Sequence, residues 1–345
     1  VHGNNLHFFA IGDWGGASCP GHASMHYVHR QYLPGSERYE LDDNAQSLVA
    51  DRMGTLASQV KPFMVLNAGD NFYWGGVFHE SLGGQDVHDP VTFAQGFEDI
   101  YNHEDLMVPW LSIMGNHDYG GDGCFANVRA QFDYTIRDLL HNDRWKMPSP
   151  YYKHRINFDG FSAEFFMLDT NVEDSNSGRH GGICAQEICH EVFDRETTPR
   201  AECVQWFRSM WQAEQTWLRS AVAESTADWK ILVGHHKPHG PVGHLYESIV
   251  EEFGIQLMVG SHTHEMAFYD SWHRSAPLLV VGAGGGAQGA PGCGGARYCS
   301  EPTGYGFVDL GINEKQLEIT IHNHDGEVAL HHYICMNGQP QETPC

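Results

Sequence analysis

Five short apolar runs in this chain each stop on residues that can hold a metal or move a proton. "LHFFAIGD" stops at Asp13 and "FMVLNAGD" at Asp70. "VPWLSIMGNHD" stops at Asn116, His117 and Asp118, "WKILVGHH" at His235 and His236, and "IQLMVGSHTH" at His262 and His264. Taken one at a time, each has an ordinary explanation. Asp before glycine forms turns and caps helices, GNHD can be a turn, and paired histidines mean little in a chain with 24 of them. Five such endings on five runs point to one shared site. Carboxylate, amide oxygen and imidazole together suit Fe, Mn or Zn. "GDNFY" sets Asp70 and Tyr73 three apart, and a phenolate ligand favours a ferric ion. His262 and His264 are two apart, so they share a face if extended or address two neighbouring ions if the loop is tight.

The runs themselves are four to seven residues of Val, Ile, Leu, Phe and Met. That is the pattern of strands buried on both faces. Helical spacing of apolar residues predicts helices over 43–60, 213–225 and 244–254, the last stopping at Gly254. Alternating strands and helices predict an α/β fold with much of its sheet parallel. In such sheets ligands collect at the carboxyl ends of the strands. "PLLVVGAGG", "YGFVDLGI", "QLEITIHN" and "VALHHYIC" follow with only turns between them, which predicts an antiparallel meander forming a second sheet. Stretches 74–95, 171–204 and 282–299 read as loops. There is no fixed-period repeat and no linker, so residues 1–345 are expected to form a single domain.

Composition narrows the function. The chain has 345 residues, 41% of them hydrophobic and 12% aromatic, enough for a large core. Its net charge of −24 argues against nucleic acid and against anionic membrane surfaces as partners. The 24 histidines would become charged near pH 5 and suit an acidic compartment, or they reflect composition alone. Nine cysteines without a C-x-x-C, several in polar or Gly-rich stretches, predict disulfides in an oxidising compartment. Local pairs Cys184–Cys189 and Cys293–Cys299 are expected, and the odd count leaves a free thiol or a disulfide-linked partner. No apolar run approaches the ~20 residues of a membrane helix. The chain begins at Val, which reads as a processed N-terminus, and it contains no N-glycosylation sequon. A secreted, extracellular or acidic lumenal location is expected.

The ordered blocks GDWGG, GD-x-x-Y, GNHD, GH and G-x-H-x-H, spanning residues 12 to 264, resemble the calcineurin-like metallophosphoesterases. The tyrosine of "GDNFY" narrows the resemblance to purple acid phosphatases, especially the small tartrate-resistant type, and "VVGAGGGAQG" looks like that family's late strand and glycine loop. The resemblance implies a four-layer α/β/β/α sandwich with a dinuclear centre between two mixed sheets. Fe(III) would be held by Asp13, Tyr73 and His264, with Asp70 bridging. A second divalent ion (Fe, Zn or Mn) would take Asn116, His235 and His262. His117 would contact the substrate phosphate. His244, nine residues after His235, would be the acid for the leaving group, with His236 and His239 as rivals. The implied activity is acid phosphatase, hydrolysing phosphate monoesters with a metal-bound hydroxide. The substrate would be a small phosphate ester or a phosphoprotein. Asp118 is expected either to orient a ligand imidazole or to cap a helix, and Gly12, Gly15 and Gly16 to allow close approach.

Two features depart from the family pattern. Tyr119 stands where small members often carry another histidine, and the Cys-containing stretch 171–204 is longer than expected and reads as a loop insertion. The alternative reading is a structural or scaffold protein of an extracellular assembly that retains the fold, with self-association through the odd cysteine. The intact ligand set favours catalysis. A phosphodiesterase or nucleotidase is disfavoured by Tyr73.

Overall fold

The apolar layer between two β-sheets organises the computed structural model, which describes residues 5–15, 45–73, 76–77, 80–82, 85–87, 90–119, 128–137, 143–176, 182–184, 200–272, 276–286, 292–301 and 304–345. In chain order the strands are β1 (Leu6–Ile11), β2 (Val65–Asn67), β3 (Glu80–Leu82), β4 (Gln85–Val87), β5 (Trp110–Ser112), β6 (Trp145–Lys146), β7 (Tyr152–Asn157), β8 (Ser162–Met167), β9 (Trp229–Val233), β10 (Leu257–Gly260), β11 (Met266–Tyr269), β12 (Leu278–Val281), β13 (Tyr298–Cys299), β14 (Gly306–Ile312), β15 (Gln316–Asn323), β16 (Val328–Cys335) and β17 (Pro340–Gln341). The longer helices are α1 (Ala45–Val60), α2 (Val128–Arg137), α3 (Arg200–Ala223) and α4 (Gly240–Phe253).

One sheet runs β17-β16-β15-β14-β1-β2-β5-β6 and the other β13-β11-β12-β10-β9-β8-β7, while β3 and β4 form a separate hairpin. Each sheet has a parallel heart: β1, β2, β5 and β6 in the first, and β8, β9, β10 and β12 in the second.

The unbroken apolar runs follow from this layering. Phe8 and Ala10 of β1 point into the layer between the sheets, where they meet Phe165, Ile231 and Val259. Phe9 and Ile11 point the other way, onto Val49 and Met53 of α1. On the far side, Phe166, Leu232 and Met258 of the second sheet pack against Leu218 and Val222 of α3 and Val242 and Ile249 of α4. The result is a helix, sheet, sheet, helix sandwich, the four-layer α/β architecture expected.

The meander is placed differently from the expectation. β14, β15 and β16 extend the first sheet, because β14 pairs antiparallel with β1 from Leu6↔Ile312 to Ala10↔Val308. Only "PLLVV" lies in the second sheet, where β12 is parallel to β10. The alternating burial of β15 has the same cause, since Leu317, Ile319 and Ile321 face the inter-sheet layer.

Helix α1 covers most of 43–60, and α4 ends where expected, with Gly254 in the left-handed region at φ 68°. Helix α3 begins at Arg200, well before the predicted residue 213. Cys203, Val204, Phe207 and Trp211 supply its missing apolar stripe.

The disulfides correct one expectation and meet another. Cys293 pairs with Cys299 as predicted. Cys184 pairs with Cys203 on the first turn of α3 rather than with Cys189, which lies outside the described residues. Nearness in sequence was the wrong guide, because α3 returns Cys203 to within 5.7 Å (Cα to Cα) of Cys184. Cys335–Cys345 closes the C-terminal strands. Cys19 and Cys124 also lie outside the described residues, as do 177–181 and 185–199 of the expected insertion. Among the described residues no helix is long and apolar enough to cross a membrane.

Candidate metal centre

The parallel strands of both sheets deliver their ends to one place. Asp13, Asp70 and Asn116 follow β1, β2 and β5 of the first sheet, while His235, His262 and His264 follow β9 and β10 of the second. The five endings therefore come from both sheets of the sandwich, at the same end of it. The glycine segment after β12 joins them: Gly12 N–H donates to Val281 C=O at 2.9 Å, Gly284 N–H to Gly12 C=O at 3.0 Å, and Gly286 N–H to Asp13 C=O at 2.8 Å. A Cβ at Gly286 would lie 2.2 Å from the Tyr73 ring. Gly12 and Gly15 stand equally close to Ser261 and to the Asn71 backbone, whereas Gly16 lies outside the described residues.

Asp13, Asp70, His262 and His264 all adopt left-handed backbone, with φ of 53°, 53°, 72° and 52°. Such a conformation costs about 1–3 kcal/mol per non-glycine residue and persists where the surroundings impose it. Here it turns the ends of three strands, β1, β2 and β10, so that these four side chains converge.

Tyr73 Oη lies 3.0 Å from Asp13 Oδ1, 3.1 Å from Asp70 Oδ2 and 3.1 Å from His264 Nε2. Asp70 Oδ2 is also 3.4 Å from His235 Nε2. Asn116 Oδ1 faces two imidazoles, 3.1 Å from His235 Nε2 and 3.0 Å from His262 Nδ1. Two groups of three emerge, Asp13/Asp70/His264 and Asp70/His235/His262, each with ligand atoms within 4.8 Å of one another, and Asp70 belongs to both. Lone pairs aimed at a common centre in a buried space are the arrangement a cation resolves, so this donor set fits two metal ions.

The surrounding contacts fix these side chains. Asp13 Oδ2 accepts from Ser261 Oγ and, at 2.8 Å, from His262 N–H. Asp70 Oδ1 accepts from His117 N–H at 2.9 Å. His235 Nδ1 donates to Ala68 C=O at 2.8 Å, which leaves Nε2 facing the cluster.

Burial raises the Asp13 carboxyl, only partly offset by His235 and His264. Burial acts the same way on Asp70, but His235 and His117 outweigh it and hold Asp70 well below the usual carboxylate range. Burial lowers the His235 imidazole, yet Asp70 and Asp13 overcome this and push it up to about 10. Burial, Asp13 and Asp70 together drive the Tyr73 phenol well above its ordinary value. Taking up cations here must displace those protons.

All seven predicted metal-ligating residues thus sit in one cluster. His117 adjoins it, half-buried, with its ring edge-on to Tyr73 at 4.7 Å. His236 is buried behind His262, with ring centroids 4.2 Å apart. His239 and His244 stand apart from the cluster. His239 is 3.7 Å from Glu173, and the His244 side chain is 86% exposed on α4, 3.9 Å from Glu247.

Asp118 neither orients an imidazole nor caps a helix. Its carboxylate accepts the N–H groups of Asn71, Phe72 and Gly115 and the Gln131 amide, tying the Asp70 turn to the Asn116 turn. Tyr119 is buried, its hydroxyl donating to Asp169 Oδ2 at 2.5 Å. Asp169, Thr170 and Asn171 come from a sixth strand end, after β8, that the sequence reading missed. The signal was present in "FFMLDTN", but its polar end merged with the loop that follows.

The calcineurin-like phosphoesterase family model matches residues 6–266. Human tartrate-resistant acid phosphatase type 5 is 27% identical over 291 residues, 81% of this chain and 73% of that protein. Arabidopsis thaliana purple acid phosphatase 17 is 30% identical over 249 residues, 69% of this chain and 63% of that protein. Among solved structures, GAP50, the anchor in the inner membrane complex of Plasmodium, shares the fold with a TM-score of 0.63 at 17% identity, over 95% of this chain and 88% of that one. With all seven clustered side chains inside the matched span, the chain belongs to the calcineurin-like phosphoesterases and has purple acid phosphatases among its relatives.

Proposed function

We propose that this protein is an acid phosphatase acting on phosphate monoesters through an Fe(III) ion and a second divalent ion, Fe, Zn or Mn. The observation that carries this reading is the Tyr73 hydroxyl, set 3.0–3.1 Å from Asp13, Asp70 and His264. A phenol held protonated by burial and two carboxylates becomes a ligand only for a strongly polarising cation. Asp13, Tyr73 and His264 would hold Fe(III), Asp70 would be shared, and Asn116, His235 and His262 would hold the divalent ion. When bound, the two ions supply Lewis acidity toward a phosphate ester and acidify water. His117 borders Tyr73 at the edge of the cluster and is assigned to the phosphoryl oxygens, where an imidazole N–H donor stabilises developing charge. His244 is assigned the leaving-group proton for substrates that reach the exposed face of α4. The disulfides are compatible with a secreted or lumenal setting.

The reading is tested by assaying para-nitrophenyl phosphate and its bis-ester at pH 5 on metal-loaded protein. The monoester is expected to turn over faster by about two orders of magnitude, a gap of about 2.7 kcal/mol in barrier. A chelator should abolish the activity, and iron with zinc or manganese should restore it. Preference for the diester overturns the monoester assignment. A second reading, an anchor that keeps the phosphatase fold, draws on the likeness to GAP50. Protein loaded with two ions yet inert toward both esters would favour it.

A further inference from the structure

Resting on the two-ion reading above, we propose that Asp169 is a positioning residue for the turn that carries Asn116 and His117, acting through Tyr119 and Asn171. The turn leaves β5 of the first sheet, whereas Asp169 follows β8 of the second. One oxygen of Asp169 accepts the Tyr119 hydroxyl at 2.5 Å. The other accepts Asn171 N–H at 3.0 Å and Asn171 Nδ2 at 3.1 Å. Asn171 Nδ2 also donates to Met114 C=O at 2.9 Å. A single buried carboxylate therefore grips segment 114–119 at both ends, directly at Tyr119 and through Asn171 at Met114. Asp169 is itself held by α3, because its N–H donates to Glu214 Oε1 at 2.9 Å.

This tie matters because the Asn116 contacts cross between the sheets. Asn116 Oδ1 must stay 3.0–3.1 Å from His235 and His262, both borne by the second sheet. Asp118 fixes the turn to the segment after β2 of the same sheet, through Asn71 and Phe72, and to α2 through Gln131. Asp169, Asn171 and Tyr119 set its position relative to the imidazoles. Asp13, Tyr73 and His264 do not lie on this turn. Loss of Asp169 should therefore loosen the site of the divalent ion and spare the site built on Tyr73.

The test compares Asp169→Ala, Asp169→Asn and Tyr119→Phe with the unaltered chain. In metal-free protein, hydrogen exchange of a peptide spanning 114–119 should rise in Asp169→Ala and Tyr119→Phe, while a peptide spanning 260–264 stays unchanged. In iron-loaded protein titrated with Zn(II), affinity for the second ion should fall about tenfold or more, with the visible band from Tyr73 retained. Asp169→Asn, whose amide oxygen can still accept from Tyr119, should recover part of both effects. Unchanged exchange at 114–119 overturns the inference, and so does loss of the band together with both ions. If Asp169→Ala does not fold, Tyr119→Phe, which removes one hydroxyl, decides alone. If the unaltered chain takes up fewer than two ions, the two-ion reading fails, and the exchange comparison still decides the role of Asp169.

Discussion

Asp70→Asn is expected to lower kcat on a phosphate monoester at least about a thousandfold and to leave the chain with no more than one bound ion. Removing one preorganised group that stabilises charge in an active site costs about 10²–10³ in rate, and Asp70 serves more than one partner. It belongs to both ligand groups. Its Oδ2 approaches Tyr73 and His235, and its Oδ1 holds His117 N–H at 2.9 Å. The asparagine keeps the shape but removes the charge that both ions would share, and it offers an NH₂ where an acceptor is needed. Because Asp70 packs in the site and not in the apolar layers, the metal-free variant should keep the far-UV circular dichroism of the unaltered protein. Steady-state kinetics and metal analysis on the same preparation check this. Two bound ions with ordinary turnover would remove Asp70 from its shared position.

Gly115→Ala should be nearly as damaging through geometry alone. An added Cβ would lie 2.1 Å from Asp70 Oδ1 and 2.4 Å from Asp70 N. The backbone nitrogen cannot step aside, because Asp70 is already at φ 53° and its carbonyl is bonded to Gly15 N–H. Overpacking of this kind costs about 1–3 kcal/mol. Displacing a reacting group by about 1 Å costs roughly a hundredfold in rate. Gly254→Ala is the matched control. Unlike Gly115 it has positive φ, at 68°, and nothing lies within 4 Å of its Cβ, so it should lose about 1 kcal/mol or somewhat more through backbone strain alone and retain its activity. Thermal unfolding and kcat for the two variants, side by side, separate backbone strain from intrusion into the site.

Much of this was legible in the chain. Apolar runs ending on Asp, Asn or His located the site because strand ends in parallel sheets are where the backbone stops pairing and side chains are free to serve a ligand. The run length of β1 also announced burial on both faces, as Phe8 and Phe9 show by packing into different layers. Pairing over long separations was not legible. Nothing local to "YGFVDLGI" says that β14 will join β1 some three hundred residues earlier, which is why the meander was assigned to the other sheet. Cys184 misled for the same reason, its partner being set by the return of α3 and not by spacing. Asp118 was half-read: its place beside Asn116 and His117 marked it as important, but only the folded chain shows that it grips backbone amides of the neighbouring turn. The Asp169 cluster went unnoticed because its partners Tyr119 and Glu214 lie 50 and 45 residues away.

The visible absorption spectrum of the purified protein, recorded together with its metal content, tests the central claim most directly. The account predicts a purple or pink protein with about two metal ions per chain, one of them iron, whose band disappears in Tyr73→Phe. A colourless protein holding two zinc or manganese ions would contradict the Fe(III)–Tyr73 assignment and place the chain with other calcineurin-like phosphoesterases.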